Sequence, residues 1–428
     1  MSDGLARVRR TPLHLLSCLY GFLIPIDFYL STDLHVTVVH IVQVFLVVGF
    51  WVHVAAGRDR VGMRVFQQPA VLLGALWILW CTASFAWAVD PPATARALPR
   101  HILAFGAFLC VQALPADWDG VASLMSALCA GTALMTGYAL WQYGRQDYGP
   151  LYPWFSPYYS ELFTARGGLA LVGTYANPNI LVACGVLVLP LLWWRWKTSS
   201  RRRCVFWGLV CLALIFVLLN TYSKWCWALL PIILMTLALS RVSWLARLVA
   251  VAAGGSTMAV GVLIRSRIVE ALSSALPDAR ALSIAPRVEL WKIAWKVWET
   301  RPFAGFGLGG FAAATSDFRA DANLVELVRA HNWFAQTAVD LGVIGVALWL
   351  LWFGSLWTRS LHLASRSARR RNVLPIALCV SLATVPLMGF FDDHGASNQF
   401  VNLQWYVAAL AVVSIRLREE TPETAGDR

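Results

Sequence analysis

Long apolar runs recur along almost the whole chain, and they constrain its fold more than any other feature. About 20 mostly apolar residues are enough for a helix to cross a bilayer, whose core offers the backbone no hydrogen-bond partner. Twelve candidate spans can be placed, near residues 12–30, 36–56, 70–89, 102–116, 121–143, 176–194, 204–220, 224–240, 245–263, 333–357, 373–391 and 400–415. We therefore predict an all-α transmembrane bundle of about twelve spans.

The charge distribution predicts the topology. A net charge of +12 could indicate a nucleic-acid partner, but hydrophobic residues make up 58% of the chain and charged residues only 14%. If the N-terminus lies inside, successive loops alternate between the two sides of the membrane. The basic clusters then fall in the inner loops, and the short outer loops are poor in Lys and Arg. The inner clusters lie at residues 7–10, 58–64, 195–203, 241–247, 359–371 and 416–418. This is the positive-inside pattern of a membrane protein with many spans, and no nucleic-acid partner is expected.

The spans divide the chain into four parts. Residues 1–263 would hold helices 1 to 9, residues 264–332 a long periplasmic loop with short helices, residues 333–415 helices 10 to 12, and residues 416–428 a cytoplasmic tail. The 9 cysteines are scattered singly, and none lies in the long loop, so we expect no disulfide framework.

Two predicted outer loops are too long to be simple connections. The loop at about 144–175 is rich in aromatic residues and contains Arg166, shortly before Asn177. The loop at 264–332 contains more basic than acidic residues, among them Arg265, which indicates an anionic ligand. Pro286 can begin a helix there, and Arg287 then lies in its first turn, where a cation opposes the helix dipole. Such a cost favours a binding role for Arg287.

His331 begins the most distinctive polar stretch, at the start of an apolar helix. Ala335, Ala338, Gly342 and Gly345 fall within about 40° of its direction on an ideal helix. This pattern is typical of a small-residue stripe along which a second helix packs closely. The positive end of a helix disfavours imidazolium, so His331 is placed to act as a base.

Other motifs have plainer interpretations. Residues 305–310 match the pattern GxGxxG, but no strand precedes them, so we reject a dinucleotide site and predict a tight turn near the membrane face. The run Asp392-Asp393-His394 lacks further ligands at a recognisable spacing, so no metal site is predicted. Asp340 is expected to pair with another span. Lys224, at the outer end of a span, would either reach the interface or bind a phosphate.

The chain resembles the O-antigen ligase family of membrane glycosyltransferases. The resemblance rests on His331-Asn332, followed after nine residues by Gly342 and after two more by Gly345, and on the runs 173–179, 287–291 and 302–311. One departure is Lys224, where the family commonly has an arginine. The resemblance implies transfer of a polysaccharide from undecaprenyl pyrophosphate to the lipid A–core oligosaccharide at the periplasmic face, with inversion and without metal or nucleotide cofactor.

The resemblance also implies roles for particular residues. His331 and Arg287 would be catalytic, and the donor pyrophosphate would be bound by Lys224, Arg166 and Arg265. The site would be supported by Asn332, Asn177, Gly342 and Gly345. Two alternatives use the same donor, repeat-unit polymerisation and transfer to a protein hydroxyl. A non-catalytic transporter would show inverted repeats and interrupted helices with charges near the midplane, and the sequence indicates neither.

Overall fold

The computed structural model describes most of the chain. The described residues are 11–26, 29–31, 36–56, 66–114, 117–145, 171–175, 177–221, 223, 226, 229–230, 233–234, 285–322, 324, 328–369, 373–395 and 397–420. The predicted spans 224–240 and 245–263, and the candidates Arg166, Lys224 and Arg265, lie wholly or almost wholly outside them.

The described part is all-α apart from one two-stranded antiparallel pair, Tyr29–Ser31 with Val36–Thr37. Its α-helices, numbered here in chain order, are α1 Pro12–Leu23, α2 Val38–Ala55, α3 Pro69–Ala83, α4 Pro91–Ala113, α5 Trp118–Arg145, α6 Pro178–Thr198, α7 Arg201–Leu219, α8 Ala285–Thr300, α9 Phe311–Ala314, α10 Ser316–Asp321, α11 Trp333–Arg369, α12 Leu374–Phe391 and α13 Asn398–Glu420. Two 3-10 turns, Ile24–Ile26 and Ser84–Trp87, follow α1 and α3.

Polar caps and prolines fix where several helices begin. Asp90 precedes α4, and its carboxylate accepts a hydrogen bond from the amide of Ala93 at 2.9 Å. Asn177 precedes α6, and its side-chain oxygen accepts from the amide of Asn179 at 2.8 Å. A proline follows each cap at the first helical position, where its missing N–H costs nothing.

Ten of the twelve predicted spans coincide with described helices. Seven helices are long and apolar enough to cross a membrane, namely α2, α3 with its 3-10 turn, α5, α6, α7, α11 and α13, while α1 and α12 are shorter apolar helices. The helix predicted near 102–116 begins earlier, at Pro91. The total of twelve spans stays a prediction.

Helix α13 forms the centre of the bundle, and its most apolar 18-residue window is entirely buried. Helix α4 packs along it, α11 packs on α3 and α12, and α12 packs on α6. Aromatic rings fill the core: Trp405 of α13 lies 4.3 Å from Trp352 and 5.2 Å from Phe108, measured between ring centroids. This packing brings the predicted outer ends of these helices close to the start of α11.

Helix α11 is interrupted at Gly342, which adopts the left-handed backbone conformation with φ 68°. The interruption frees two amide groups: Val343 N–H donates to the carbonyl of Pro302 at 2.8 Å and Ile344 N–H to that of Phe303. The expected straight stripe of small residues is therefore wrong. A connecting turn, not a second helix, approaches Gly342, and a Cβ there would overlap the Phe303 carbonyl.

The glycine run after α8 makes that turn. Gly305, Gly307 and Gly309 all have positive φ, which glycine adopts without steric cost. The amide of Phe306 donates to the carbonyl of Val339 at 2.9 Å, and that of Gly307 to the carbonyl of Asp340 at 2.8 Å. The element before this run is helix α8 and not a strand. The run therefore lacks the strand that precedes the glycines of a dinucleotide-binding motif. The predicted tight turn is confirmed, and it contacts the break in α11. Its position near the membrane face stays a prediction.

Candidate functional site

His331 lies in the short loop before α11, and its backbone is in the left-handed region with φ 48°. This conformation is uncommon for residues other than glycine and costs free energy that the surrounding structure must supply. Its imidazole Nδ1 lies 2.9 Å from a carboxylate oxygen of Asp392, which follows α12. The His331 side chain is 28% exposed whereas that of Asp392 is 8% exposed. The ring is thus held at Nδ1 and remains partly exposed.

Asn332 fixes the direction in which the chain enters α11. Its side-chain oxygen accepts from the amide of Ala335 at 2.9 Å, which makes it the N-cap of the helix. Its side-chain amide donates to the carbonyl of Phe390 at 3.0 Å, near the end of α12. These two bonds tie the start of α11 to the end of α12, and so place His331 opposite Asp392.

Asp392 is an ionised carboxylate. Burial by itself raises the pKa of this group, but the hydrogen bond from His331 and the charges of His394, His331 and Arg287 outweigh burial and hold the pKa below its usual range. An ionised carboxylate only accepts hydrogen bonds, so His331 donates from Nδ1. In neutral His331 the lone pair is then on Nε2. The pair can therefore take up a proton from a bound hydroxyl.

Asn179 extends this pair to two further segments. Its side-chain amide donates to the second oxygen of Asp392 at 2.7 Å, and its carbonyl oxygen accepts from the hydroxyl of Ser223 at 2.9 Å. A continuous chain of hydrogen bonds thus runs from His331 through Asp392 and Asn179 to Ser223. It joins four segments of the molecule that all lie at the predicted outer ends of spans.

Helix α8 lies beside the His331–Asp392 pair and carries Arg287 in its first turn. The charge of Arg287 lies near enough to Asp392 to lower the pKa of its carboxyl. Trp291 donates from its indole N–H to the carbonyl of Ala330 at 3.0 Å, directly before His331. Leu290, Ile293 and Val297 are buried. The helix therefore packs on the bundle and presents Arg287 toward the His331–Asp392 pair.

An apolar groove, about 530 Å³ in volume, opens between α8, α11 and α12. Tryptophans of α8 form one wall, and residues of α11 with Phe390 form the other; its lining includes Trp291, Trp295, Trp298, Asn332, Phe334 and Phe390. We call it the tryptophan groove. Its lining is almost wholly apolar, so it suits a hydrocarbon chain better than a sugar.

The structure brings together some predicted site residues and not others. His331 contacts Asp392, and the charge of Arg287 acts on the same carboxyl, while Asn332 bonds to the carbonyl of Phe390 two residues before it. Asn177 caps α6 two residues before Asn179. Gly342 lies at the helix break, and Gly345 lies one turn beyond it against Leu341. Arg166, Lys224 and Arg265 lie outside the described residues, although Ser223, which precedes Lys224 in the chain, contacts Asn179.

Two residues have partners that the sequence did not indicate. Asp340 was expected to pair with another span, but its carboxylate accepts from the amides of Gly309 at 3.0 Å and Phe311 at 2.8 Å. Asp392 was considered only as a metal ligand. Among the described residues no cluster of three or more His, Cys, Asp or Glu side chains could hold a metal ion. Asp392 instead orients His331.

Sequence reasoning also missed Asn179. It singled out Asn177 in the run 173–179, but the residue whose side chain reaches Asp392 is Asn179. The available signal was positional: a residue in the first turn of an outer helix end points back toward the membrane surface, where the other polar candidates lie.

A family model described as O-antigen ligase matches residues 162–350. The matched residues include Asn179, Ser223, Arg287 and His331, whereas Asp392 lies beyond them. No curated relative matches the chain.

Proposed function

We propose that this chain, a member of the O-antigen ligase family through residues 162–350, transfers O-antigen polysaccharide from undecaprenyl pyrophosphate to the lipid A–core oligosaccharide. The observation that supports this most directly is the His331–Asp392 hydrogen bond at 2.9 Å beside Arg287. It combines a proton acceptor with a cation at one site, which a transfer from a diphosphate donor requires.

In the proposed step, the oxygen of an acceptor hydroxyl attacks the anomeric carbon of the donor sugar. The hydroxyl proton passes to Nε2 of His331, and the bond between the anomeric carbon and the pyrophosphate oxygen breaks. Undecaprenyl pyrophosphate leaves with the electron pair. A single displacement of this kind inverts the anomeric centre, and Asp392 stabilises the imidazolium that forms.

The leaving group gathers negative charge, which cations stabilise. Arg287 is the described cation beside the pair, and we assign Lys224, Arg166 and Arg265 to the same pyrophosphate. The tryptophan groove adjoins Asn332 and would take the polyprenyl chain of the donor. Since the diphosphate is itself the leaving group, the reaction uses no metal ion and no nucleotide. The protein would act in the bacterial inner membrane, with this site facing the periplasm.

A transporter needs separate consideration, because the sequence indicated no interrupted helix and α11 is interrupted. In transporters, a helix break exposes backbone groups that bind the solute. Here the freed amides of Val343 and Ile344 donate to the carbonyls of Pro302 and Phe303. The break is therefore occupied by the protein's own turn, and this favours the enzyme.

The test is a reconstituted transfer assay. Purified protein in lipid, with a chelator present, is offered a glycan on undecaprenyl pyrophosphate together with lipid A–core. Glycan on the lipid A–core supports the ligase. A longer glycan that stays on undecaprenyl pyrophosphate would identify a polymerase, and glycan on an added protein acceptor would identify a protein transferase. Transfer to no acceptor would contradict the proposal.

Arg287 gives a second test within the same assay. Arg287→Ala should lose most transfer, and Arg287→Lys should recover only part of it, because lysine keeps the charge but not the planar fork that binds phosphate in two places. Lys292→Ala is the matched control, since Lys292 is an exposed cation of the same helix paired with Glu289 at 3.0 Å. Equal activity of all three variants would remove Arg287 from the site.

A further inference from the structure

Ala330, the residue before His331, has both of its backbone polar groups bonded to side chains. Its carbonyl accepts from the indole N–H of Trp291 at 3.0 Å, and its N–H donates to the side-chain oxygen of Gln336, also at 3.0 Å. Ala330 is fully buried and belongs to no helix or strand. A lost partner would leave a buried polar group unsatisfied, so the path of the chain at this point depends on these two side chains.

The path of the chain at Ala330 matters because His331 follows with φ 48°. A residue other than glycine keeps the left-handed conformation only where the surrounding contacts enforce it. After His331, the side chain of Asn332 supplies two such contacts. Before His331, the bond from Ala330 to Gln336 supplies another. Gln336 therefore helps to hold the backbone of His331 and, with it, the direction of the imidazole.

The side-chain amide of Gln336 has only one orientation that satisfies both of its neighbours. Gln336 lies near the start of α11, and its side chain reaches back toward the beginning of the helix, as helical side chains do. Since the N–H of Ala330 can only donate, the amide oxygen of Gln336 faces it. The amide nitrogen then donates to a carboxylate oxygen of Asp340 at 3.2 Å, four residues further along the same helix face.

Asp340 connects Gln336 to the glycine turn after α8. The carboxylate oxygen that accepts from Gln336 also accepts from the amide of Gly309 at 3.0 Å, and the other oxygen accepts from the amide of Phe311 at 2.8 Å. Asp340 is buried. A continuous chain of hydrogen bonds thus runs from the turn through Asp340 and Gln336 to the backbone directly before His331.

His331 is therefore held in two ways. Asp392 holds its ring at Nδ1, and Gln336 holds its backbone through Ala330. A general base must lie within hydrogen-bond reach of the proton that it takes. A displacement of about 1 Å, even from a change remote from the chemistry, can lower a rate about 10²-fold. A residue that fixes the backbone of His331 is thus expected to influence the rate.

We propose that Gln336 is a positioning residue for His331, and that Asp340 passes the position of the glycine turn to it. This inference rests on the proposed function, because it assigns a further role in the same reaction. Both residues lie in the nine-residue spacer between Asn332 and Gly342, so they join the two ends of the motif. They act through His331 and do not contact the reacting atoms.

The kinetic test compares Gln336→Met with the wild type in the reconstituted assay. Methionine keeps the length of the side chain and removes both of its hydrogen bonds. The kcat should fall about tenfold, while the KM for donor and the KM for acceptor each change less than about twofold. Thr337→Val is the matched control, because Thr337 is the next residue of the same helix and its hydroxyl makes no hydrogen bond to any described residue. A change confined to KM, or an equal fall in the control, would overturn the proposal.

A double-mutant cycle tests the link to Asp340. Asp340→Asn replaces one acceptor oxygen by a donor, so it should displace Gln336 and lower kcat. If Asp340 acts on His331 through Gln336, the double variant Gln336→Met/Asp340→Asn should have nearly the kcat of Asp340→Asn alone. Effects on kcat that simply multiply would show that the two residues act separately, and would overturn the link.

A last arm examines His331 without transfer. Diethyl pyrocarbonate modifies unprotonated histidine rings, and mass spectrometry follows the rate at His331 in the absence of substrates. Loosening of the loop in Gln336→Met should raise this rate about threefold relative to His362, an exposed histidine of α11 that serves as internal standard. An unchanged or slower rate would overturn this inference. A raised rate in a protein whose wild type transfers no glycan would count against the proposed function alone.

Discussion

The two halves of the motif from His331 to Gly345 are built in opposite ways. At the first half, side chains make the contacts: His331 with Asp392, and Asn332 with α12. At the second half the backbone makes them: the turn 302–310 bonds to main-chain groups of α11 around Gly342. One half leaves a polar edge open to a ligand, and the other leaves no room even for a Cβ.

This difference teaches that a contiguous motif can carry two separate functions. The glycine half positions α8 and the turn after it against α11, so it sets where Arg287 lies. The histidine half carries the chemistry. Substitutions in the first half should therefore change activity with little change in stability, and substitutions in the second half should change stability first.

The largest effect on activity is expected for His331→Asn. Asparagine tolerates the left-handed backbone at this position, so the fold should be kept, but it cannot take up the proton. General base catalysis contributes about 10²–10⁴-fold, and transfer in the reconstituted assay should fall by that factor. Thermal unfolding in detergent should stay close to the wild type. Near-normal transfer by a folded variant would remove His331 from the reaction.

The largest effect on stability is expected for Gly342→Ala. The added Cβ meets the carbonyl of Phe303, and alanine resists the left-handed conformation at φ 68°. Together these effects should cost roughly 2–5 kcal/mol of unfolding free energy. Gly354→Ala is a control in the same helix, because nothing lies within 4 Å of a Cβ there. Thermal unfolding should fall only in the first variant, and equal stability of the two would contradict the described break.

Asp392→Asn tests whether Asp392 positions His331 and stabilises its protonated form. The amide can donate to Nδ1 and so favour the unproductive tautomer of His331, and it no longer stabilises the imidazolium. Transfer should fall about 10–100-fold through kcat, with the donor KM nearly unchanged, in steady-state kinetics. An effect confined to KM would mean that Asp392 binds substrate and does not position His331.

The ionised state of Asp392 also sets a pH dependence. Its folded-state pKa lies below the value of about 3.9 for an unperturbed Asp, so its stabilising contribution is complete above that pH and is lost as the pH falls below it. The stability difference between wild type and Asp392→Asn should therefore still be present at about pH 5 and should shrink below about pH 4. Thermal unfolding at several pH values measures it. A difference that shrinks already near pH 6 would contradict an ionised, stabilised Asp392.

The same contrast explains which features of the fold and the site could be predicted from the sequence and which could not. Hydrophobic periodicity located the helices well, because each depends on a local run of apolar residues. The motif located His331, Asn332 and the glycines. The spacing could not tell a small-residue stripe from a helix break at Gly342, since both require glycine. Nor could it pair His331 with Asp392 or Asp392 with Asn179, because those residues are 61 and 213 positions apart.

The smallest effects are expected at the far end of the hydrogen-bond chain. Asn179→Ala removes the donor to Asp392 at 2.7 Å and the acceptor of Ser223 at 2.9 Å. A buried group left without its partner costs about 1–3 kcal/mol, so both stability and transfer should fall modestly. Ser223→Ala removes only the outer bond and leaves the Asn179–Asp392 bond in place. Transfer should therefore fall about tenfold in Asn179→Ala and less than threefold in Ser223→Ala, measured side by side. If Ser223→Ala were the more damaging, the segment before Lys224 would act directly on the substrate, and the effect would not pass through Asn179 to Asp392.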